Sequence, residues 1–184
     1  MHLFWVKGFH ATSLKDLEAA LQMRPGSIYA AFESKEALFK EAIDLYALQM
    51  RSDLERSVAT ALSPLRALQS HILGLADLSP CEKPSTACML VKSLLELPGG
   101  TAARQVVEAH LGHVEAMLER SFVRAKEVGE LCVESDPARL ARRMQTYIFG
   151  LKIQAQRESS PELMEQLCRD LADEIGALSA YRCD

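Results

Sequence analysis

Residues 8–40 read GFHATSLKDLEAALQMRPGSIYAAFESKEALFK, and this stretch decides the fold. Thr12 and Ser13 are residues that cap helix N-termini, and Leu14, Leu17, Ala20 and Leu21 recur behind them at helical spacing. Gln22 and Met23 interrupt that helix. Arg24-Pro25-Gly26-Ser27 starts another, with Pro25 in the first turn, where a missing N–H costs little. Ile28, Tyr29 and Phe32 supply its apolar side. Ser34 caps a third helix, and Glu36 puts acid in its first turn, which suits the helix dipole. Helix, tight turn and second helix is the geometry that lays one helix in a DNA major groove.

Working outward, KGFHATS at the front and SIYAAFESKEALF behind complete a longer pattern. It resembles the DNA-binding domain of the tetracycline-repressor (TetR/AcrR) family of bacterial transcription regulators. The matching positions are Lys7, Gly8, Phe9, Thr12, Ser13, Gly26, Ser27, Ile28, Tyr29, Phe32, Ser34, Lys35, Glu36 and Leu38. The resemblance is strong over about residues 3–45 and architectural beyond. Family members carry a complete first helix before the K-G-F turn. Here only His2-Leu3-Phe4-Trp5-Val6 stand for it, so a truncated N-terminal helix is expected.

The rest of the chain reads as helix throughout. The third helix continues without Pro or Gly to about Ala61, a single rod able to transmit movement between two domains. Helices follow over 65–78, 87–97, 101–127 and 137–157, and from Ser160-Pro161 to near Tyr181. Pro80 and Pro84 mark a loop over 79–86, Pro98-Gly99-Gly100 a stop, and Gly129 a turn. No segment alternates with strand period. The expected fold is all-α, with a helix-turn-helix DNA-binding domain at 1–45 and a helical ligand-binding and dimerisation domain at 46–184. Gly150, inside a helix, reads as a point of close helix approach.

Composition narrows the function classes. Apolar residues make up 48% of the 184, enough for a buried core, yet no run of about 18 apolar residues could cross a membrane. The apolar start lacks the basic residues, length and cleavage site of a signal peptide, so the chain is expected in the cytoplasm. The formal net charge is −4, with +1 in residues 1–40 and −5 in the remainder. That balance fits local, shape-matched DNA contact rather than a long electrostatic footprint. The five cysteines, Cys81, Cys88, Cys132, Cys168 and Cys183, are odd in number and lack a CxxC. They argue against a disulfide scaffold and give no zinc spacing. No metal or cofactor is expected. Neither a G-x-S-x-G elbow nor a Gly-rich phosphate loop is present, so the chain does not read as an enzyme.

Operator binding needs phosphate clamps and base readers. Thr12 can offer a hydroxyl and nearby N–H groups to a phosphate, and Lys35 can neutralise another. Arg24 can pair with guanine O6 and N7, with Gly26 and Ser27 beside it at the groove-facing start of the helix. Pro25 and Ala30 can meet thymine methyls. The resemblance implies that Tyr29 reaches the DNA backbone. In the body, Leu140, Met144, Tyr147, Ile148, Leu151, Leu167 and Leu171 form a broad apolar face on the last two helices. Such a pair can be half of an intermolecular bundle, and the resemblance implies the same four-helix homodimer interface. It also implies an apolar small-molecule effector bound in the body.

Candidates for effector contact are Cys88, Lys92, His110, His113, Met117 and Tyr147. His110 and His113 lie three apart on one helical face and read either as pocket lining or as ordinary helix. Cys88 opens a helix with Lys92 one turn on, a setting that favours thiolate. The segment ACMLVK is similar to one in the N-ethylmaleimide-responsive repressor of the same family. The expected function is a ligand-responsive regulator, a repressor, that binds a palindromic operator as a dimer and is released by a small molecule. The alternative is a dimeric helical small-molecule or thiol redox and electrophile sensor that does not bind DNA.

Overall fold

The computed structural model describes residues 1–59, 61, 63–77, 85, 87–157 and 160–179. Among them lie nine α-helices and no strand: α1 (His2–Lys7), α2 (Leu14–Leu21), α3 (Pro25–Phe32), α4 (Lys35–Ala59), α5 (Pro64–Leu73), α6 (Met89–Glu96), α7 (Ala102–Glu127), α8 (Pro137–Arg157) and α9 (Pro161–Ala177). A short 3-10 turn, Gly74–Asp77, follows α5, where a longer α-helix is expected from sequence. The expected loop over 79–86, apart from Ser85, lies outside the described residues, as do Leu62, Cys81, Cys183 and the helix end near Tyr181. No described helix is long and apolar enough to cross a membrane.

Local chemistry sets the helix ends. Ser13 caps α2: its hydroxyl accepts from the Asp16 N–H, while the Asp16 carboxylate accepts from the Ser13 N–H, a reciprocal capping box. Gln22 then takes a left-handed conformation (φ 55°) that ends the helix. Pro25, Pro64 and Pro161 each stand in the first turn of a helix, behind Arg24, Ser63 and Ser160 respectively.

The chain packs as two units. The first joins Met1–Met50 to Cys88–Leu111, and the second joins Arg51–Ala87 to Gly112–Asp184. The expected division at residue 45 therefore does not leave α6 and the start of α7 with the body: their contacts are with the helix-turn-helix. The core of the first unit centres on Phe39, 1% exposed. Its ring meets Phe4 edge-on at 5.1 Å and Phe9 at 4.9 Å between centroids. Trp5 packs on Tyr46 at 5.1 Å. Ile28, Ile43, Met89, Leu90 and Val107 close the cluster. Truncating such an aromatic to alanine costs about 3–5 kcal/mol.

In the second unit, Leu68 and Ile72 of α5, Leu118 and Phe122 of α7, Met144 and Leu151 of α8, and Ile175 of α9 are almost wholly buried. A Cβ on Gly176 of α9 would stand 2.3 Å from the Gln69 amide nitrogen of α5, so this glycine marks a close helix approach. Gln69 uses that proximity to donate to the Ala172 carbonyl at 3.1 Å. Gly150 is exposed, and a Cβ there would meet nothing within 4 Å. The close approach expected at Gly150 is thus absent among the described residues. Cys88 and Cys168 are free and buried, whereas Cys132 is disulfide-bonded, a single bridge rather than a disulfide scaffold. An odd cysteine count is no obstacle to one bridge.

Candidate nucleic-acid interface

Helix α3 is held by one buried residue. Ile28 is 2% exposed and plugs the first unit's core, with Phe32 half-buried one turn on. Arg24, Pro25, Gly26, Ser27, Tyr29 and Ala30 are all exposed. Tyr29 shows 43% of its surface. The start of the helix thus presents a cation, a hydroxyl and a phenol, with its backbone uncovered at Gly26. A Cβ at Gly26 would meet nothing within 4 Å, so the position leaves room for close approach from outside.

Two phosphate candidates stand differently. Thr12 is fully buried, and its hydroxyl donates to the Gly8 carbonyl at 2.6 Å. The side chain locks the turn between α1 and α2, and Ser13, not Thr12, occupies the helix N-terminus. Lys35 is half-buried with its ammonium 4.6 Å from the centroid of the Phe9 ring, a cation–π contact that aims it along the unit's surface. Near the turn, Lys7 donates to Asp16 at 2.6 Å. The Lys7 ammonium, helped by Ser13, holds the Asp16 carboxyl well below the usual carboxylate range.

The candidates for effector contact divide between the two units. Cys88, Lys92 and His110 belong to the first unit, and His113, Met117 and Tyr147 to the second. Cys88 is 3% exposed, and its Sγ accepts from the Tyr46 hydroxyl at 3.7 Å. Burial, with the neighbouring thiol adding to it, pushes the Tyr46 phenol far above its ordinary pKa. Lys92 does not face the thiol: its ammonium donates to the Trp5 carbonyl at 2.5 Å and the Val6 carbonyl at 3.1 Å. His110 Nε2 lies 2.6 Å from Asp44 Oδ1. The Tyr147 hydroxyl accepts from Arg143 and donates to Glu174 at 2.6 Å, on the surface of the α8–α9 pair.

Met117 does line a cavity. It encloses about 390 Å3 in the second unit, between Leu54, Glu55 and Val58 of α4 and Met117, Arg120, Ser121 and Arg124 of α7. The floor is apolar and the two arginines stand exposed at its rim. Sequence periodicity marks Met117, Leu54 and Val58 as inward residues but carries no signal for Arg120. Among the described residues no cluster of His, Cys, Asp and Glu could hold a metal.

The apolar set expected at a dimer interface divides in two. Met144, Ile148 and Leu151 are buried in the second unit's own core. Leu140, Tyr147, Leu167 and Leu171 are half-buried, beside the exposed Gly150, Ile153 and Leu163.

A short helix anchored by one residue, with an open polar face and a capped helix before it, defines a helix-turn-helix DNA-binding protein. Residues 1–42 match the family described as bacterial regulatory proteins, tetR family. The chain is 25% identical over 169 residues to the HTH-type transcriptional repressor ComR of Escherichia coli (strain K12), covering 91% of this chain and 80% of that protein. It is 28% identical to CifR, a TetR family transcriptional regulator solved as a cysteine mutant complexed with 26-bp double-strand operator DNA. The TM-score is 0.84, and 94% of this chain and 90% of that one are covered. A transcriptional regulator of the TetR family from Cytophaga hutchinsonii shares the fold at a TM-score of 0.86 and 23% identity, over 96% and 89% of the two chains. Residues 1–42 thus carry a DNA-binding domain of the tetR family, and the chain is a DNA-binding transcriptional regulator.

Proposed function

We propose that the protein is a repressor that binds a palindromic operator as a homodimer and leaves it when a small molecule occupies the second unit. The observation that carries this reading is α3, whose exposed face from Arg24 to Ala30 rests on Ile28 alone. A helix so mounted can enter a major groove without exposing core. Arg24 reads a guanine, Pro25 and Ala30 meet thymine methyls, Tyr29 and Lys35 take phosphates, and Thr12 acts by shaping the turn rather than by touching DNA. The protein acts where bacterial operators are found, in the cytoplasm.

Dimerisation through α8 and α9 is supported by the stripe of Leu140, Tyr147, Leu167 and Leu171 with Ile153 and Leu163. Gly150 lets a partner helix approach. The exposed charges are complementary too: Arg139 and Arg157 on α8, against Asp170 and Asp173 on α9. Two copies present two α3 helices, hence the palindrome. The cavity beside Met117, with its apolar floor and the Arg120 and Arg124 rim, suits an apolar effector carrying an acidic group.

The experiment is selection from pooled random duplexes, followed by binding measurements on the enriched site. A palindromic consensus is expected. Arg24→Ala should lose roughly ten- to hundredfold in affinity and relax one base position, as expected for a bidentate guanine contact of about 1–3 kcal/mol. Tyr29→Ala should weaken all sequences alike. A folded dimer that enriches no sequence refutes the proposal.

A further inference from the structure

Helix α6 carries a lysine and a glutamate one turn apart, both half-buried, and both act on main-chain atoms of the segment that leads into the helix-turn-helix. The Lys92 ammonium donates to the Trp5 and Val6 carbonyls at 2.5 and 3.1 Å, at the end of α1. Carbonyls in the last turn of a helix have no partner within it, and a cation suits the negative end of its dipole. The Glu96 carboxylate accepts from two consecutive N–H groups, Phe9 at 2.8 Å and His10 at 2.5 Å. Those donors lie between α1 and α2, outside either helix. Gly8 makes the grip possible: its φ is +82°, and a Cβ there would stand 2.6 Å from Glu96 Oε2. Thr12 fastens the same turn from inside through the Gly8 carbonyl.

The C-terminal end of α6, around Glu96, is itself fixed. Arg104, in the first turns of α7, donates to the Leu94 and Leu97 carbonyls at 2.7 and 2.9 Å, and its Nε pairs with Glu108 at 2.8 Å. A continuous polar chain therefore runs from α7 through α6 to the turn before α2. Each link at the reader ends on backbone, so side-chain rotation in the reader cannot release it.

We propose that Lys92 and Glu96 are positioning residues for DNA reading: α6 grips the α1–α2 turn by its main chain and thereby sets where α2 and α3 stand. This rests on the operator-binding reading above and adds residues that touch no DNA.

The test uses the full chain with Glu96→Gln, Lys92→Met and the conservative Lys92→Arg. Residue-resolved amide exchange and operator affinity are measured on each, with circular dichroism to establish folding. In Glu96→Gln the Phe9 and His10 amides should exchange roughly ten- to hundredfold faster, the range a lost charge-assisted hydrogen bond implies, while Ile28 and Ile43 keep their protection. Operator affinity should fall about tenfold or more in Glu96→Gln and Lys92→Met, and Lys92→Arg should stay near wild type. If Glu96→Gln fails to fold, the contrast between Lys92→Met and Lys92→Arg carries the decision. Unchanged exchange at Phe9 and His10, or freed amides with undiminished operator affinity, overturns the proposal. A wild-type protein that selects no operator removes the regulator reading and this proposal with it. Variants that bind as well as a competent wild type remove only the positioning role.

Discussion

Gly8→Ala is the substitution whose cost the structure lets one work out in parts. Gly8 has φ +82° and ψ 174°, a region that side chains other than glycine's hardly visit, worth of order 1–3 kcal/mol in strain. The new methyl would also sit 2.6 Å from Glu96 Oε2. The carboxylate ends a flexible side chain and can yield, but in yielding it releases the Phe9 and His10 N–H groups. A hydrogen bond to a charged group contributes about 1.5–3 kcal/mol. Strain and one such loss together give about 2.5–6 kcal/mol. Gly100→Ala is the control: its φ is +79°, with nothing within 4 Å of the new methyl, so only strain of about 1–2 kcal/mol applies. Urea unfolding followed by tryptophan fluorescence reads both, since Trp5 lies in the same unit. At a slope of about 2 kcal/mol per molar, the two midpoints should differ by roughly 1 M. Gly8→Ala should also cost less in a Glu96→Gln background, because both changes break one contact. Equal midpoints for the two glycine variants, or full additivity with Glu96→Gln, would refute the reasoning.

Two further outcomes follow from single residues. Ser13→Ala removes the cap of α2 and half of its box with Asp16, and should cost about 1 kcal/mol in urea, with Ser13→Gly costing less. Burial, with Lys152 adding to it, pushes the His71 imidazole down to about 4 from its ordinary 6.5. A depressed histidine supports the fold while neutral, so its contribution is complete above 6.5 and is lost as the pH falls towards 4. The loss between pH 7 and 5 is about 2 kcal/mol. His71→Gln should unfold with correspondingly less pH dependence in that window, and a variant as acid-sensitive as wild type would contradict this.

The reader was plain in the sequence because its signals are local. Pro25 in a first turn, Ser34 before an acidic turn and the interruption at Gln22 each act within four residues, and the structure has all three. Helix spacing likewise identified α8 down to its ends. Periodicity tells which residues face inward but not into which core. Met144, Ile148 and Leu151 face their own unit's interior for that reason, although their pattern equally suits a partner's. Glu96 and Glu108 stand near the histidine pair in the sequence, yet one holds two backbone N–H groups and the other pairs with Arg104. Nothing within a few residues of Glu96 announces that its partners lie 86 and 87 positions away. Thr12 was misjudged for the opposite reason: two adjacent capping residues are equivalent in sequence, and only the burial of one decides which serves as the cap.

The discontinuity of the first unit bears on how such proteins can be recombined. Met1–Met50 is completed by Cys88–Leu111, which closes its core with Met89, Leu90 and Val107 and holds its α1–α2 turn. A chimera that joins the first 50 residues to a foreign body would inherit a headpiece missing one wall, with the Phe9 and His10 amides unheld. Grafting both segments together moves the complete headpiece, so exchange of operator preference between regulators of this architecture has two splice blocks rather than one.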